Sequence, residues 1–461
     1  MSVTPSGNKE TRIAKSRRDG LLLLILGSIV FVLLGVALEN SAPAPSADFR
    51  ALYYPARALV HNSDLYLVSD VLAIYQSDTF QFPSDNWKNR EIATRNVYPP
   101  TAFTFMLPFA MLSWPPAHIL WLILTLGSIL AASFLIWHFS ASYSPLVCGA
   151  LIALFLVNSE LLAISSNAAG IVVSLCVVAV CCFLSDRLAT VGIVCLAISL
   201  TIKPQETGLV WLYFLLAGGV YRTRALQTLL ATIVISLPAI LWVWHVSPHW
   251  LTEWQANLAT FNAHGGINDP GLDSAGGHGL AMVISLQAIL SVFRDNQHFY
   301  DLGSYLVSAP LVLVWAVITV RTRTTPAKAW LALASIAAIS MLPVYHRQYD
   351  AKLLLLTVPA CVMLLAEGGR MGKFALLVTT AAFVFTGDLT WAILLGLINH
   401  LHPAANGLAA QTLMAAQVFP PPLILLTTGI FYLWVYARKA PALQRKLPSM
   451  VEPVKNQSAP K

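Results

Sequence analysis

Charge is what this chain is shortest of. Of its 461 residues, only 11% are Asp, Glu, Lys or Arg, against about a quarter in a typical soluble domain. So few charges cannot cover a water-facing surface, which excludes an ordinary soluble multidomain protein. Cysteine is scarce too. The six residues Cys148, Cys176, Cys181, Cys182, Cys195 and Cys361 lie in apolar runs, with neither metal spacing nor a loop disulfide framework, so they read as buried thiols. No Walker or glycine-rich phosphate loop occurs, so nothing asks for a nucleotide or other cofactor. The polar stretch 245–304 holds His245, His249, His264, His278 and His298 with Asp269 and Asp273, but at spacings that match no compact ligand motif, and no metal is expected. The net charge of +7 does not point to nucleic acid. Its cations sit in short clusters between apolar runs, from Lys9 to Arg18, at Arg222 and Arg224, Arg321 and Arg323, Arg370 and Lys373, and from Arg438 to Lys446, the pattern of cytoplasmic loops.

What the chain has in abundance is apolar sequence, 57% of its residues, in repeated runs of spanning length. Backbone in lipid must pair within its own segment, so the expectation is an all-α polytopic membrane protein. Residues 1–19 read as a cytoplasmic tail, 20–436 as the transmembrane domain and 437–461 as a second basic cytoplasmic tail. The apolar run from Leu21 to Leu38 is long and has no small-residue cleavage site after it, so it reads as a retained first span. It delivers a large first outer loop, 39–100, and a second follows at 245–304. Placing the basic clusters in the cytoplasm gives about 12 spans, provided 101–114 and 279–293 are short re-entrant or interfacial helices. One non-cytoplasmic face then collects the first loop, Asn158 to Asn167, the turn Lys203-Pro204-Gln205-Glu206, the second loop, Tyr345 to Asp350, and His400 to Val418. Within the first loop, Phe49, Tyr53, Ala56 and Val60 recur at helical spacing, which predicts an amphipathic helix at the membrane surface. Gly265-Gly266 and Gly276-Gly277 read as hinges of a flexible loop. Trp242, Trp244, Trp250 and Trp254 form either an interfacial belt or a stacking surface.

The first loop carries Asp48, Tyr53-x-x-Ala56-Arg57-Ala58 and Asp64-x-Tyr66, then Tyr98-Pro99-Pro100 and Pro108 further on. Downstream come Lys203-Pro204-Gln205 and Tyr345-His346-Arg347-x-Tyr349-Asp350. In this order the elements resemble glycosyltransferase family 87, polyprenol-phosphate-sugar-dependent enzymes of the GT-C class, over about residues 20–365. Where many members carry a Gly-Gln-x-Asn-like turn, this chain has Ser165-Ser166-Asn167-Ala168.

The resemblance implies a GT-C-like bundle in a bacterial inner (plasma) membrane with its site facing the periplasm or exterior. It implies a hexosyltransferase, mannosyl foremost, that takes sugar from a polyprenyl-phosphate donor in the bilayer to a glycolipid or polysaccharide acceptor. Asp48 then falls where the family carries its catalytic base, and general-base work requires such a carboxylate. The competing reading of Asp48 is a helix N-cap. Asp64 is the second candidate base, with a turn role beside it. Lys203, Arg347 and His346 are candidate donors to the leaving phosphate, where negative charge builds up. Lys203 alternatively snorkels, and Arg347 alternatively pairs with an acid. Tyr53, Tyr54, Arg57, Tyr98, Gln205 and Tyr349 are candidate pocket residues. A transporter or flippase of lipid-linked sugars is the alternative from another class, and it predicts an internal repeat that the halves do not display.

Overall fold

The apolar runs become helices whose ends are set by proline, glycine and buried charge. The computed structural model describes residues 6–42, 45–78, 80, 87–271, 283–401, 412, 415, 416 and 418–442. Asp273, Gly276, Gly277, His278, His402 and the tail beyond residue 442 lie outside the described residues. In chain order the first helices are α1 (Ser6–Ser41), α2 (Ala47–Val60), α3 (Val68–Ser77), α4 (Trp87–Thr94), α5 (Phe103–Ala110), α6 (Trp114–Ser140) and α7 (Pro145–Val157). There follow α8 (Leu161–Ile164), α9 (Ala169–Ser185), α10 (Ala189–Ile202), α11 (Pro204–Ala217), α12 (Gly219–Val246) and α13 (Trp250–Asn262). The last third holds α14 (Leu286–Phe293), α15 (Gln297–Arg321), α16 (Pro326–Ile339), α17 (Thr357–Ala366), α18 (Gly369–Phe385), α19 (Asp388–Leu401) and α20 (Pro420–Ala442). No strand occurs among the described residues, only one antiparallel bridge between Val283 and Arg347.

The fold is that of a helical polytopic membrane protein, and among the described residues single helices of spanning length account for six or seven of the twelve expected crossings. Six are long and apolar enough to cross, or seven when the pair Gly369–Phe385 and Asp388–Leu397, bent by 53°, makes one span. Helices α10, α11 and α16 have 14 residues each. At 1.5 Å per residue such a helix covers about 21 Å of a hydrocarbon core about 30 Å thick. They are short because polar residues and prolines interrupt what the sequence shows as longer apolar stretches. The two weak segments agree with their composition: α5 and α14 have eight residues each and cannot cross alone.

Two apolar cores hold the molecule together. The larger lies among the long helices and includes Phe155, Phe183, Phe214, Trp315, Leu354 and Tyr432. Its first contact is made by small residues. A Cβ on Gly27 would come within 2.7 Å of Ala153 Cα, and one on Gly149 would land on the Gly20 carbonyl, so the backbones of α1 and α7 touch directly.

The smaller core belongs to the first loop. Phe49, Leu52, Tyr53, Tyr54, Ala56 and Leu59 of α2 are all at 0% exposure. Phe49 stacks on Trp121 at 4.9 Å and tilts against Trp114 at 5.4 Å. Helix α2 is therefore buried on nearly all sides rather than lying on the membrane surface. The residues between the spaced apolar positions are themselves mostly apolar, and a helix of that kind is enclosed by its neighbours. The second large loop closes over this core: Trp254 Nε1 donates to Val97 O at 2.9 Å, and Asn257 Nδ2 donates to Tyr66 O at 3.0 Å. Trp242 Nε1 donates to Asn62 at 3.3 Å, whereas Trp244 is 65% exposed.

Candidate active site

Three interruptions in the helices supply the site. The first is at Lys203. Proline at 204 disfavours helical backbone in the residue before it, and Lys203 takes φ −141°, ψ 77°. Helix α10 ends there, α11 starts on Pro204, and the lysine side chain is left at the break. The second lies between α7 and α9, where Ser166 has φ 51° and Asn167 caps α9 by accepting Ala169 N–H at 2.8 Å. The third joins α16 to α17: Arg347 N–H donates to Asp350 Oδ2 at 2.8 Å, closing a turn from which the short 3-10 helix Asp350–Leu356 departs.

These breaks meet. Lys203 Nζ donates to Glu206 Oε1 at 2.5 Å, Asp350 Oδ1 at 2.9 Å and Asn167 Oδ1 at 3.1 Å. Asn167 Nδ2 donates to Asp48 Oδ2 at 2.9 Å. The orientation of that amide follows from its neighbours, since its oxygen already accepts from a backbone N–H and from the ammonium. His346 Nδ1 stands 3.3 Å from Asp350 Oδ2. Its Nε2 is buried without a hydrogen-bond partner. The Arg347 guanidinium donates to Tyr345 OH and to Ile267 O, the latter at 2.6 Å. Lys203 also sits 5.0 Å from the centre of the Tyr349 ring, a cation–π distance.

Residues far apart in sequence thus form one continuous network: Asp48, Asn167, Lys203, Glu206, Asp350, His346 and, through its backbone, Arg347. All but Asp48 are buried. Asp48 is half-buried and lies in the first turn of α2, whose N-cap is Ser46. Its carboxylate turns to Asn167 rather than to a cap, and among the described residues nothing bonds its Oδ1.

The surrounding tyrosines feel the cluster. Burial raises the Tyr349 hydroxyl well above the ordinary value, and the negative charge of Asp48 raises it further. Tyr98 is raised by burial, against the pull of Lys203, with Asp48, Asp350 and Glu206 adding to the rise. Both phenols stay protonated beside the cluster.

Other expected site residues lie elsewhere. Tyr53 OH donates to Leu112 O at 2.8 Å and accepts from Arg57 at 2.7 Å; Tyr54 OH reaches Asp78 at 3.2 Å. All three side chains brace the first-loop core. Asp64 accepts Tyr66 N–H at 2.9 Å, an Asx turn. Gln205 is exposed. In the second loop, His264 Nδ1 stands 3.4 Å from Asp269 and 3.2 Å from Asp295. Asp269 accepts Gly265 N–H at 2.7 Å and Gly271 N–H at 3.0 Å, so the trio staples the loop.

Sequence reading passed over Glu206 and gave Asn167 no role. The signals were present: Glu206 is three residues from Lys203, one helical turn on, and Asn167 stands just before an apolar run, at a capping position.

The family model for glycosyltransferase family 87 matches residues 96–344, just over half of the chain. The chain belongs to glycosyltransferase family 87. The matched stretch contains Tyr98, Asn167, Lys203 and Glu206, and stops short of Asp48 on one side and of Tyr345 to Asp350 on the other. It is narrower than the resemblance over about residues 20–365. No curated protein and no solved structure matches the chain. The protein is a glycosyltransferase with a helical membrane domain, and the residues outside the match are read from their geometry.

Proposed function

We propose that this glycosyltransferase moves a hexose, mannose foremost, from a polyprenyl-phosphate donor to a lipid or glycan acceptor with inversion, at the outer face of a bacterial plasma membrane. The observation that carries the reading is the bond network from Asp48 through Asn167 to Lys203 and Asp350. It joins a carboxylate with an unbonded oxygen to cationic side chains at the bundle end where both large polar loops gather.

In this reading Asp48 Oδ1 takes the proton of the acceptor hydroxyl. The hydroxyl oxygen attacks the anomeric carbon, and the bond from that carbon to the phosphate oxygen breaks, its electron pair leaving with the lipid phosphate. Arg347 and His346 face the leaving phosphate. Arg347 offers a planar fork of donors, and His346 offers its unpartnered Nε2 when the ring is protonated. Lys203 has a different task from the one its sequence position suggests. An ammonium has three donors, and all three are taken, so it holds Asn167 and Asp350 in place. Tyr98 and Tyr349 donate hydrogen bonds at the rim.

Membranes containing the chain, supplied with radiolabelled polyprenyl-phosphate mannose and mixed acceptors, should transfer label to lipid or glycan. Asp48→Asn should lower turnover by about 10²-fold or more at unchanged expression. Wild-type turnover in that variant removes Asp48 as the base. Transfer from a nucleotide sugar but not from the lipid phosphate overturns the donor class.

A further inference from the structure

A second polar knot stands directly behind Asp48. Two non-glycine residues near the site have left-handed backbone, Ser46 with φ 54° and Ser166 with φ 51°. Such conformations are strained for ordinary residues and persist where neighbours over-determine them. Their neighbours here are each other, since Ser46 Oγ lies 2.9 Å from Ser166 Oγ. Ser46 stands two residues before Asp48, and Ser166 stands one before Asn167. The serine pair therefore runs parallel to the Asp48–Asn167 bond and clamps the same two segments.

Two more side chains complete the knot. His118 Nε2 is 2.7 Å from Ser46 Oγ and 3.2 Å from Glu39 Oε1, and Ser46 Oγ is itself 3.2 Å from that carboxylate oxygen. A carboxylate only accepts, so Nε2 carries the proton. The ring is held flat against Trp114, 5.5 Å away at 6°. Backbone bonds finish the junction: Ser46 N–H donates to Ile164 O at 2.8 Å, Asp48 N–H to Ser165 O at 3.0 Å, and Trp121 Nε1–H to Ser166 O at 2.8 Å. Glu39 is buried at the end of the first span, and His118 opens the next long helix. The knot thus ties two spans to the start of α2.

We infer that His118, Ser46 and Glu39 are positioning residues that fix the carboxylate of Asp48 for proton abstraction. The inference rests on Asp48 acting as base. It adds that the aim of this base is set by the His118–Glu39 contact between two long helices, outside the Lys203 cluster. A displacement of about 1 Å in a reacting group costs on the order of 10²-fold in rate, so releasing this clamp acts on the chemical step rather than on donor binding.

Three variants of the full chain, purified in nanodiscs, test it. His118→Phe keeps the stack on Trp114 and removes Nε2. His118→Gln returns a donor near the same place. Ser46→Gly tolerates the left-handed backbone and removes the hydroxyl. His118→Phe and Ser46→Gly should lower kcat by about 10- to 100-fold with donor KM within about twofold, and His118→Gln should recover most of the loss. Wild-type kcat in His118→Phe overturns the inference. So does equal impairment of the Phe and Gln variants together with a lowered melting temperature, which marks a merely structural contact. Asp48→Asn separates the two layers. If it is inactive while His118→Phe is normal, only the clamp fails; if it is fully active, the base and the clamp fail together.

Discussion

Two buried lysines lie close together in this fold and are used in opposite ways. Lys203 bonds side chain to side chain, and its network ends on a half-buried carboxylate and on an unpartnered histidine nitrogen. Lys352, two residues beyond Asp350, donates to Asn158 O and to Asp388 Oδ1 at 3.2 Å. The other oxygen of Asp388 accepts Leu161 N–H at 2.8 Å. Lys352, Asp388 and Asn158 are all buried, and the groups they satisfy are backbone groups at the break between α7 and α8. The break 158–168 is thus pinned at one end by a knot closed on backbone groups and at the other by one open toward Asp48; at the first end Asn158 Oδ1 and Glu160 Oε1 are buried without a hydrogen-bond partner. A buried charge that serves backbone ends reads as structure. A buried charge whose network runs side chain to side chain onto a half-buried carboxylate at a loop-covered end reads as chemistry.

The comparison breaks most easily at the closed knot. Lys352→Ala leaves Asp388 buried without its cation and should cost about 3–5 kcal/mol, read as loss of folded protein in detergent and a fall in unfolding midpoint. The pair Lys352→Met with Asp388→Leu should recover much of that stability, as apolar replacements of buried ion pairs often do. If Lys352→Ala melts like wild type while losing transfer, the two knots have been assigned the wrong way round.

A smaller effect sharpens the open knot. Asn167→Ala removes the link between Asp48 and Lys203 and the side-chain cap of α9, a stability loss of about 0.5–2 kcal/mol. Turnover should fall about tenfold or more, because one charge-assisted hydrogen bond contributes about 1.5–3 kcal/mol. Unchanged kcat would show that Asp48 works without Asn167. The smallest effect belongs to the first-loop core. Tyr54→Phe gives up the bond to Asp78 but keeps its stack with Trp114 at 6.0 Å. It should destabilise by about 0.5–1.5 kcal/mol and leave transfer within about twofold. A collapse in transfer would return Tyr54 to the substrate pocket.

How much of this was legible depended on the range of the interaction. Helical class and the two large loops follow from composition and from the spacing of basic clusters. The gathering of Asp48, Lys203 and the Tyr345–Asp350 turn at one end followed from topology, before any contact was visible. The number of crossings was harder, because a run such as 188–203 looks span-like whether it becomes a full crossing or the 14-residue α10. Proline at 204 marked the break, but not how the halves dispose themselves. Tyr53 and Tyr54 show a related limit. A tyrosine in a polar loop suggests a sugar contact, and only the packing against Trp114 and Phe49 shows that this loop has its own core. The three acceptors around Lys203 come from positions 167, 206 and 350, and only the second stands near enough in sequence to be guessed.

That spread has a consequence for biogenesis. Lys203 leaves the ribosome 147 residues ahead of Asp350, so during insertion it reaches the bilayer long before its distant acid has been made. Glu206 follows within one helical turn and bonds it at 2.5 Å. The nascent segment can therefore enter the translocon as a self-neutralised dipole, and the expensive ion becomes transferable to the finished enzyme.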